Sequence, residues 1–274
     1  MQQAGLVLLR VGCDFAHVSI APVHAVLQVE PRRDAGATVV EDGWDNDPRG
    51  AGDTYLDGFG NLCRRLTIPA GSSTLRYHAL VEVDGSPDPV SPSAREIAAG
   101  DLPADALVFT LPSRYCPSDE LADEAWSLFG SVTPGWSRVQ AICDWVHNAI
   151  AFGYGSSTPL TTAVQVYETR SGVCRDFAHL AVTFCRAFSI PTRYVFGYLP
   201  DIGVTPTGNP MDFCAWIEVF LDDRWWTFDP RNNVPRVGRV LIGRGRDALD
   251  VAMITSFGGA ELKTMAVHAE SAVA

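Results

Sequence analysis

Apolar and polar residues alternate along the first third of the chain, in runs at Gly5 to Val11, Val23 to Val29, Ala37 to Val40, Arg64 to Ile68 and Leu75 to Val83. Successive side chains of an extended backbone face opposite sides, so a period of two predicts strands with one face in a core. Between the runs stand Pro22, Pro31, Gly50 to Asp53, Asp57-Gly58, Gly60-Asn61, Pro69 to Gly71 and Asp84-Gly85, the residues that turns require. Short strands at this spacing, with no helical stretch among them, predict an antiparallel β-sandwich over residues 1–85.

The pattern then changes. Residues 86–112 begin with Ser86-Pro87-Asp88-Pro89-Val90-Ser91-Pro92, which neither a helix nor a central strand accepts, and read as a linker. Beyond residue 113 apolar positions recur at helical spacing. They predict helices over Ser118 to Phe129 (capped by Ser118 or Asp119), Gly135 to Ile150, Thr162 to Arg170, and from Cys174 to the stop at Pro191. Strands follow at Arg193 to Tyr198, Phe213 to Leu221 and Arg224 to Phe228, the last two forming a hairpin across Asp222-Asp223. Asp247 to Thr255 fits either a helix or irregular chain, and Thr264 to Val267 a last strand. Helices first and antiparallel sheet after give an α+β second unit spanning residues 113–274.

Charge narrows the partners. The net charge of −11 and the absence of any Lys/Arg-rich block argue against nucleic acid and anionic membranes. No apolar run reaches the length of a membrane span, and the first residues lack a basic region leading into an apolar one, so a soluble, cytoplasmic protein is expected. Seven scattered cysteines, an odd number without a CxxC pair, argue against a disulfide framework and a zinc ribbon. Cys13, Cys143 and Cys185 read as buried apolar residues, and His17, His24 and His78 as structural.

One cysteine differs. Ser171-Gly172-Val173-Cys174-Arg175-Asp176-Phe177-Ala178-His179 delivers Cys174 to the first turn of an apolar helix. The unpaired N–H groups and dipole there favour an anion and so a thiolate, although a buried structural thiol has about equal standing on this stretch alone. Two further segments fit a cysteine acyl-transfer site: Asp212-Phe213-Cys214-Ala215-Trp216-Ile217-Glu218-Val219, and Trp226-Thr227-Phe228-Asp229-Pro230 on the next strand. Neighbouring antiparallel strands can each aim one side chain at a helix N-terminus.

These segments resemble the core of the transglutaminase-like superfamily, with its papain-like layout of a cysteine helix followed by a sheet. The resemblance to bacterial members carrying an N-terminal β domain extends through Tyr55-Leu56-Asp57-Gly58-Phe59-Gly60-Asn61, Leu111-Pro112-Ser113-Arg114-Tyr115-Cys116, Met211-Asp212-Phe213 and Gly243-Arg244-Gly245-Arg246-Asp247-Ala248. It implies Cys174 as nucleophile and Asp229 as the residue that orients the base. The family's base is a histidine immediately before the Ala-Trp pair, and here that position is Cys214. A thiol is shorter than imidazole and ordinarily titrates near 8.5, so it does not inherit the histidine's part directly. Losing general acid–base assistance costs on the order of 10²- to 10⁴-fold.

Four accounts of Cys214 stay open: catalysis lost and the cleft kept for binding, an altered reaction on an activated acyl group such as a thioester, a redox pair with Cys174, or a soft-metal site with Cys174 and Asp229. The metal account ranks last because no fourth ligand is evident. His179 and His147 are weak substitutes for the base. Trp216, Tyr154 and Arg175 are expected to line the substrate site, with Tyr154 also a possible oxyanion donor beside the Cys174 N–H. Arg244, Arg246 and Asp247 read mainly as structural ion pairs. No cofactor is expected, and no acidic calcium loop is present. The expectation is a cysteine-nucleophile enzyme acting on a peptide, amide or thioester, with an inactive binding or regulatory module as the rival; oligomeric state is left open.

Overall fold

In the computed structural model, residues 5–34, 36–47, 52–205, 208 and 210–272 are described. Six strands come first: β1 (Leu6–Ser19), β2 (Val23–Leu27), β3 (Thr38–Asp47), β4 (Asp53–Leu56), β5 (Leu62–Ile68) and β6 (Gly71–Asp84). Gly50 and Ala51, half of one expected turn, lie outside the described residues. Alternation holds in detail: along β6 Leu75, Tyr77, Ala79, Val81 and Val83 are buried, while their neighbours face outward. Two four-stranded antiparallel sheets result, one holding β1-β6-β3 and the other β2-β5-β4 in spatial order, each with one further strand from later in the chain.

Those orders correct one expected boundary. The strands β13 (Ile254–Phe257) and β14 (Ala260–Ser271), read as the tail of the second unit, pair with β2 and β1 respectively and complete the sandwich. β14 runs from the expected Thr264–Val267 strand outward in both directions. Its apolar pattern is faint because most of its side chains face away from the core.

The intervening chain carries α1 (Ala104–Leu107), α2 (Ala122–Phe129), α3 (Trp136–Ala149), α4 (Ala163–Thr169) and α5 (Cys174–Ala187). Two-residue strands β7 (Ala151–Phe152) and β8 (Ser171–Gly172) pair in parallel beside the start of α5. A third sheet follows, ordered β11-β10-β9-β12, from β9 (Thr192–Tyr198), β10 (Cys214–Leu221), β11 (Arg224–Phe228) and β12 (Val240–Gly245). Residues 247–250 turn rather than form a helix. No helix among the described residues is long and apolar enough to cross a membrane.

Helix α5 is the centre of this half. All residues from Asp176 to Arg186 are buried, packed against α3, α4, β9 and β10. A helix buried on every side cannot leave its ends unsatisfied. At its N-terminus the Asp176 carboxylate accepts the Val173 N–H at 2.8 Å, half of a capping box built from the third helical position. At its C-terminus the buried Arg186 donates to the carbonyls of Thr192, Leu111 and Arg246, which suits the negative end of the helix dipole. A Cβ on Gly172 would lie 2.7 Å from the Asp176 Cβ, so the chain can enter the cap only through glycine.

The sandwich and the α5 half share one apolar core. Phe213 stacks on Phe15 from β1 and packs at a tilt against Phe196 and Tyr198 from β9, while the Tyr198 hydroxyl donates to the Val29 carbonyl at 2.8 Å. The Asp57-Gly58-Phe59-Gly60-Asn61 turn is a second seam: Asn61 exchanges two hydrogen bonds of 2.8 Å with the backbone of Arg244.

Candidate active site

Cys174 stands at the first helical position of α5, half-exposed, facing a cavity of about 330 Å³. Phe152, Tyr154, Leu199, Asp212, Phe213, Cys214 and Arg231 are among the residues around it. The Cys174 Sγ lies 3.7 Å from the Phe213 carbonyl oxygen, which brings the start of β10 against the start of α5. Cys214 follows directly, buried, with its thiol toward Cys174. Its S–H has two acceptors within reach, the Cys174 sulfur and the Ala215 carbonyl at 3.7 Å.

The electrostatics separate the two thiols. A hydrogen bond from Cys214 holds the Cys174 pKa below that of an ordinary thiol; burial opposes this, and the Ala215 N–H and the Arg231 charge reinforce it. Cys214 moves the other way, well above the ordinary value, because the proton it gives to Cys174, its burial and the nearby charges of Asp229 and Cys174 all keep it protonated. Two interacting groups whose affinities are driven apart titrate as a pair, with the first negative charge resting on Cys174. Burial raises Cys13, Cys116, Cys143 and Cys185 as well.

Asp229 is brought to the same region but faces a different partner. Its carboxylate accepts the Asn232 backbone N–H at 2.9 Å, the Asn232 side-chain amide at 2.8 Å and the Arg239 guanidinium at 2.9 Å. Arg239 also donates to Asp88 at 2.9 and 3.0 Å, and its guanidinium carbon lies 4.8 Å from the centre of the Trp216 ring. One cation is thus clamped between two carboxylates and an aromatic face. Its remaining amino group, Nη1, is buried without a hydrogen-bond partner, and its charge reaches Cys214. In place of a histidine linking Cys174 to Asp229, the order is Cys174, Cys214, Arg239, Asp229.

The residues expected to line the site divide. Tyr154 does line the cavity, and burial raises its pKa, so its hydroxyl keeps the proton. Trp216 does not: it is 1% exposed, packs across Gly197 of β9, and serves as the platform for Arg239. Arg175 also lies off the cavity, donating to the Asp176 carboxylate at 2.9 Å and to the Thr158 carbonyl at 2.7 Å, so it braces the 153–161 loop against the helix start. The Arg244, Arg246 and Asp247 cluster is structural: Arg244 pairs with Glu218, Arg246 with Asp250, and Asp247 accepts the Tyr115 N–H.

Neither spare histidine replaces the base. His179 Nε2 accepts the Ala248 N–H at 3.1 Å, and the ring stacks on Tyr115 with centres 5.3 Å apart. Burial, with the charge of Arg175, pushes its pKa down to about 3, so it remains neutral. His147 Nδ1 bonds the Arg231 carbonyl at 2.7 Å and is committed to fixing the loop after β11. No group of three or more His, Cys, Asp or Glu suited to a metal ion occurs among the described residues.

The sequence reading missed Asp88, Arg231 and Arg239. Asp88 sits in the proline-rich stretch and Arg239 between Gly238 and Val240, and no spacing rule joins two residues 151 positions apart. A signal existed for Arg231, which stands two residues after Asp229 on the turn that leaves the sheet.

This cysteine helix and its facing hairpin are shared with known proteins. Residues 125–230 match the core of the transglutaminase-like superfamily. A crystal structure described as "a Putative Cysteine Protease from Cytophaga hutchinsonii" superposes with a TM-score of 0.91 at 31% identity, over 99% of this chain and 93% of that one. The chain belongs to the transglutaminase-like superfamily. An uncharacterized Mycobacterium leprae protein is 26% identical over 238 residues, 82% of each chain. One from Mycobacterium tuberculosis strain H37Rv is 28% identical over 225 residues, 72% of this chain and 69% of its own. The transglutaminase-like core thus occupies the middle of the chain, flanked on both sides by the strands of the sandwich.

Proposed function

We propose that this transglutaminase-like protein is a cysteine hydrolase or acyltransferase acting on amide or thioester bonds, with Cys174 as nucleophile. One observation carries the reading. Among the described cysteines whose affinity for the proton is displaced, Cys174 alone is displaced toward the thiolate, and it is the one at a helix N-terminus on a cavity.

The reaction follows from the pairing. The Cys174 thiolate attacks the acyl carbon, and the carbonyl electron pair moves onto oxygen, where the Cys174 backbone N–H, a first-turn donor without an intrahelical acceptor, receives it. Collapse expels the amine or thiol, which takes the proton of the Cys214 S–H. Two of the influences that held that proton, the bond to Cys174 and its negative charge, disappear once Cys174 is acylated, while Arg239 remains to favour the Cys214 thiolate. Cys214 therefore becomes more acidic when the leaving group needs a proton. Water or a second nucleophile then attacks the thioester, gives its proton to Cys214, and releases Cys174 as thiolate. A thiol is a weaker acid than an imidazolium, so thioesters, whose leaving groups need little protonation, are favoured over amides. The odd, scattered cysteines support a reducing, cytoplasmic setting.

A binding module is the second reading, and the commitment of Asp229 to Arg239 and Asn232 favours it. The separating experiment is incubation with thiophenyl acetate, followed by release of thiophenol and peptide mass spectrometry. The enzyme reading expects an acetyl group on Cys174, turnover, and loss of both in Cys174→Ala. Release no faster in the native protein than in Cys174→Ala, with Cys174 unmodified, refutes it and leaves the binding module.

A further inference from the structure

We infer that the cavity in front of Cys174 selects acyl donors that carry a carboxylate near the scissile bond, and that Arg231 is the residue that recognises it. The inference rests on Cys174 being the nucleophile and adds the class of substrate.

The argument starts from the charges around the cavity. Four ionisable residues other than the thiols and Tyr154 line it: Asp201, Asp212, Arg231 and Arg236. Arg236 is matched, donating to the Pro200 carbonyl at 2.9 Å and to the Asp201 carboxylate at 3.2 Å. Asp212 folds back on its own strand, accepting the Phe213 N–H at 2.7 Å, and burial raises its pKa above that of a free carboxyl. Arg231 makes no ion pair among the described residues. Its guanidinium lies 4.1 Å from the centre of the Phe152 ring, which also lines the cavity, and its charge acts on Cys174, Asp212 and Tyr154. A guanidinium on an aromatic face keeps its donors at the ring's edge open for a planar anion, and carboxylate is the planar anion it fits in bidentate fashion.

The backbone beneath this side chain is held firmly. The Arg231 carbonyl accepts from His147 of α3, the Asn233 N–H donates to the Asp229 carbonyl at 2.7 Å, and the Asn233 amide donates to Asp144 of α3 at 2.8 Å. Residues on either side are spent on anchoring; Arg231 alone of the turn sends its charge into the cavity. Recognition by a pre-positioned group costs little ordering on binding.

The test compares two alkylating probes of nearly equal size, iodoacetate and iodoacetamide, on the full-length protein. Both need the same Cys174 thiolate, so the ratio of their rate constants cancels changes in ionisation and reports the charge preference of the cavity; glutathione supplies the reference ratio. A unit charge at this range in partly solvated surroundings is worth roughly a fivefold preference. Native protein is expected to favour iodoacetate about fivefold relative to glutathione, Arg231→Gln to fall to the glutathione ratio, Arg231→Lys to retain most of the preference, and added salt to erode it. Rapid labelling of Cys174 with a ratio that Arg231→Gln leaves unchanged overturns the carboxylate inference and leaves the nucleophile intact. Labelling with either probe no faster than in the unfolded chain overturns the nucleophile reading, and this inference with it.

Discussion

Replacing Arg239 with Met removes the cation at the centre of the site while keeping a stem that can lie on Trp216. Arg239 is 9% exposed and its two carboxylate partners are 2% (Asp229) and 15% (Asp88) exposed. Breaking a buried ion pair by removing one partner costs about 3–5 kcal/mol, because the other charge stays buried without compensation. Asp229 keeps two hydrogen bonds from Asn232, and Asp88 keeps some solvent, which places the loss near the lower end, about 3 kcal/mol. At about 2–4 °C per kcal/mol for a chain of this size, the melting temperature should fall by about 6–12 °C. Acid behaviour gives a second readout with a defined sign. Burial raises the Asp229 pKa, but the Arg239 charge and the Asn232 and Arg239 hydrogen bonds outweigh it, so the folded value lies below the unfolded one. Stability from this group is therefore complete above the unfolded carboxyl value of about 4 and is lost as the pH falls through the folded one. Without Arg239 burial prevails, the folded value rises, and loss of stability should begin at higher pH. Urea titrations of native protein, Arg239→Met, Asp229→Asn and the double variant, each at several pH values from 3 to 7, measure both effects. The double variant should lose less than the sum of the singles. A loss below about 1 kcal/mol in Arg239→Met, or an acid limb that does not move, would refute the clamped-cation account.

Other outcomes follow from the same contacts. Cys214→Ala deletes the proton donor to Cys174, so the pH profile of Cys174 alkylation should shift upward, with slower labelling at neutral pH and equal rates well above the thiol range. Gly172→Ala forces a methyl group against Asp176 and should cost about 1–3 kcal/mol in urea while also slowing Cys174 labelling, since the helix cap and Cys174 share a turn. His179 has a folded pKa of about 3, below its unfolded value of about 6.5, so it adds stability above the latter that is lost on acidification. Between pH 6.5 and 5 native protein should lose about 2 kcal/mol through this group, and His179→Gln, which keeps an acceptor for Ala248, should flatten that decline.

What the sequence made legible was whatever repeats locally. Alternation located β2, β5, β6 and the β10–β11 hairpin, and helical spacing located α3 and α5 with Cys174 at the start. The family resemblance placed Cys214 and Asp229 near it. Three things escaped. β14 carries its apolar residues so sparsely that only four of its positions were marked as strand, and nothing in its pattern names β1 as partner. Trp216 is expected at the substrate because aromatic residues wall clefts, but although it shares the Cys214 face of β10 it is packed against Gly197 and covered by Arg239, away from the cavity. Asp88 and Arg239 are linked only through space; ion pairs between distant segments have no periodicity, and a proline-rich stretch gives no hint that it delivers a carboxylate to Arg239.

The return of β14 to β1 also fixes an order of events. Ser19 bonds Gly259, 240 residues away, and Leu9 pairs with Ser271. During synthesis the first sheet must therefore wait with an open edge until residues 260–271 have left the ribosome, whereas α5 and the strands β9 to β12 can assemble earlier from contacts closer in sequence. The nascent protein would pass through a state in which the cysteine helix is already seated and β1 still offers unpaired backbone to other chains. Arg10 and Asp14 on that strand supply charges of the kind that discourage such pairing.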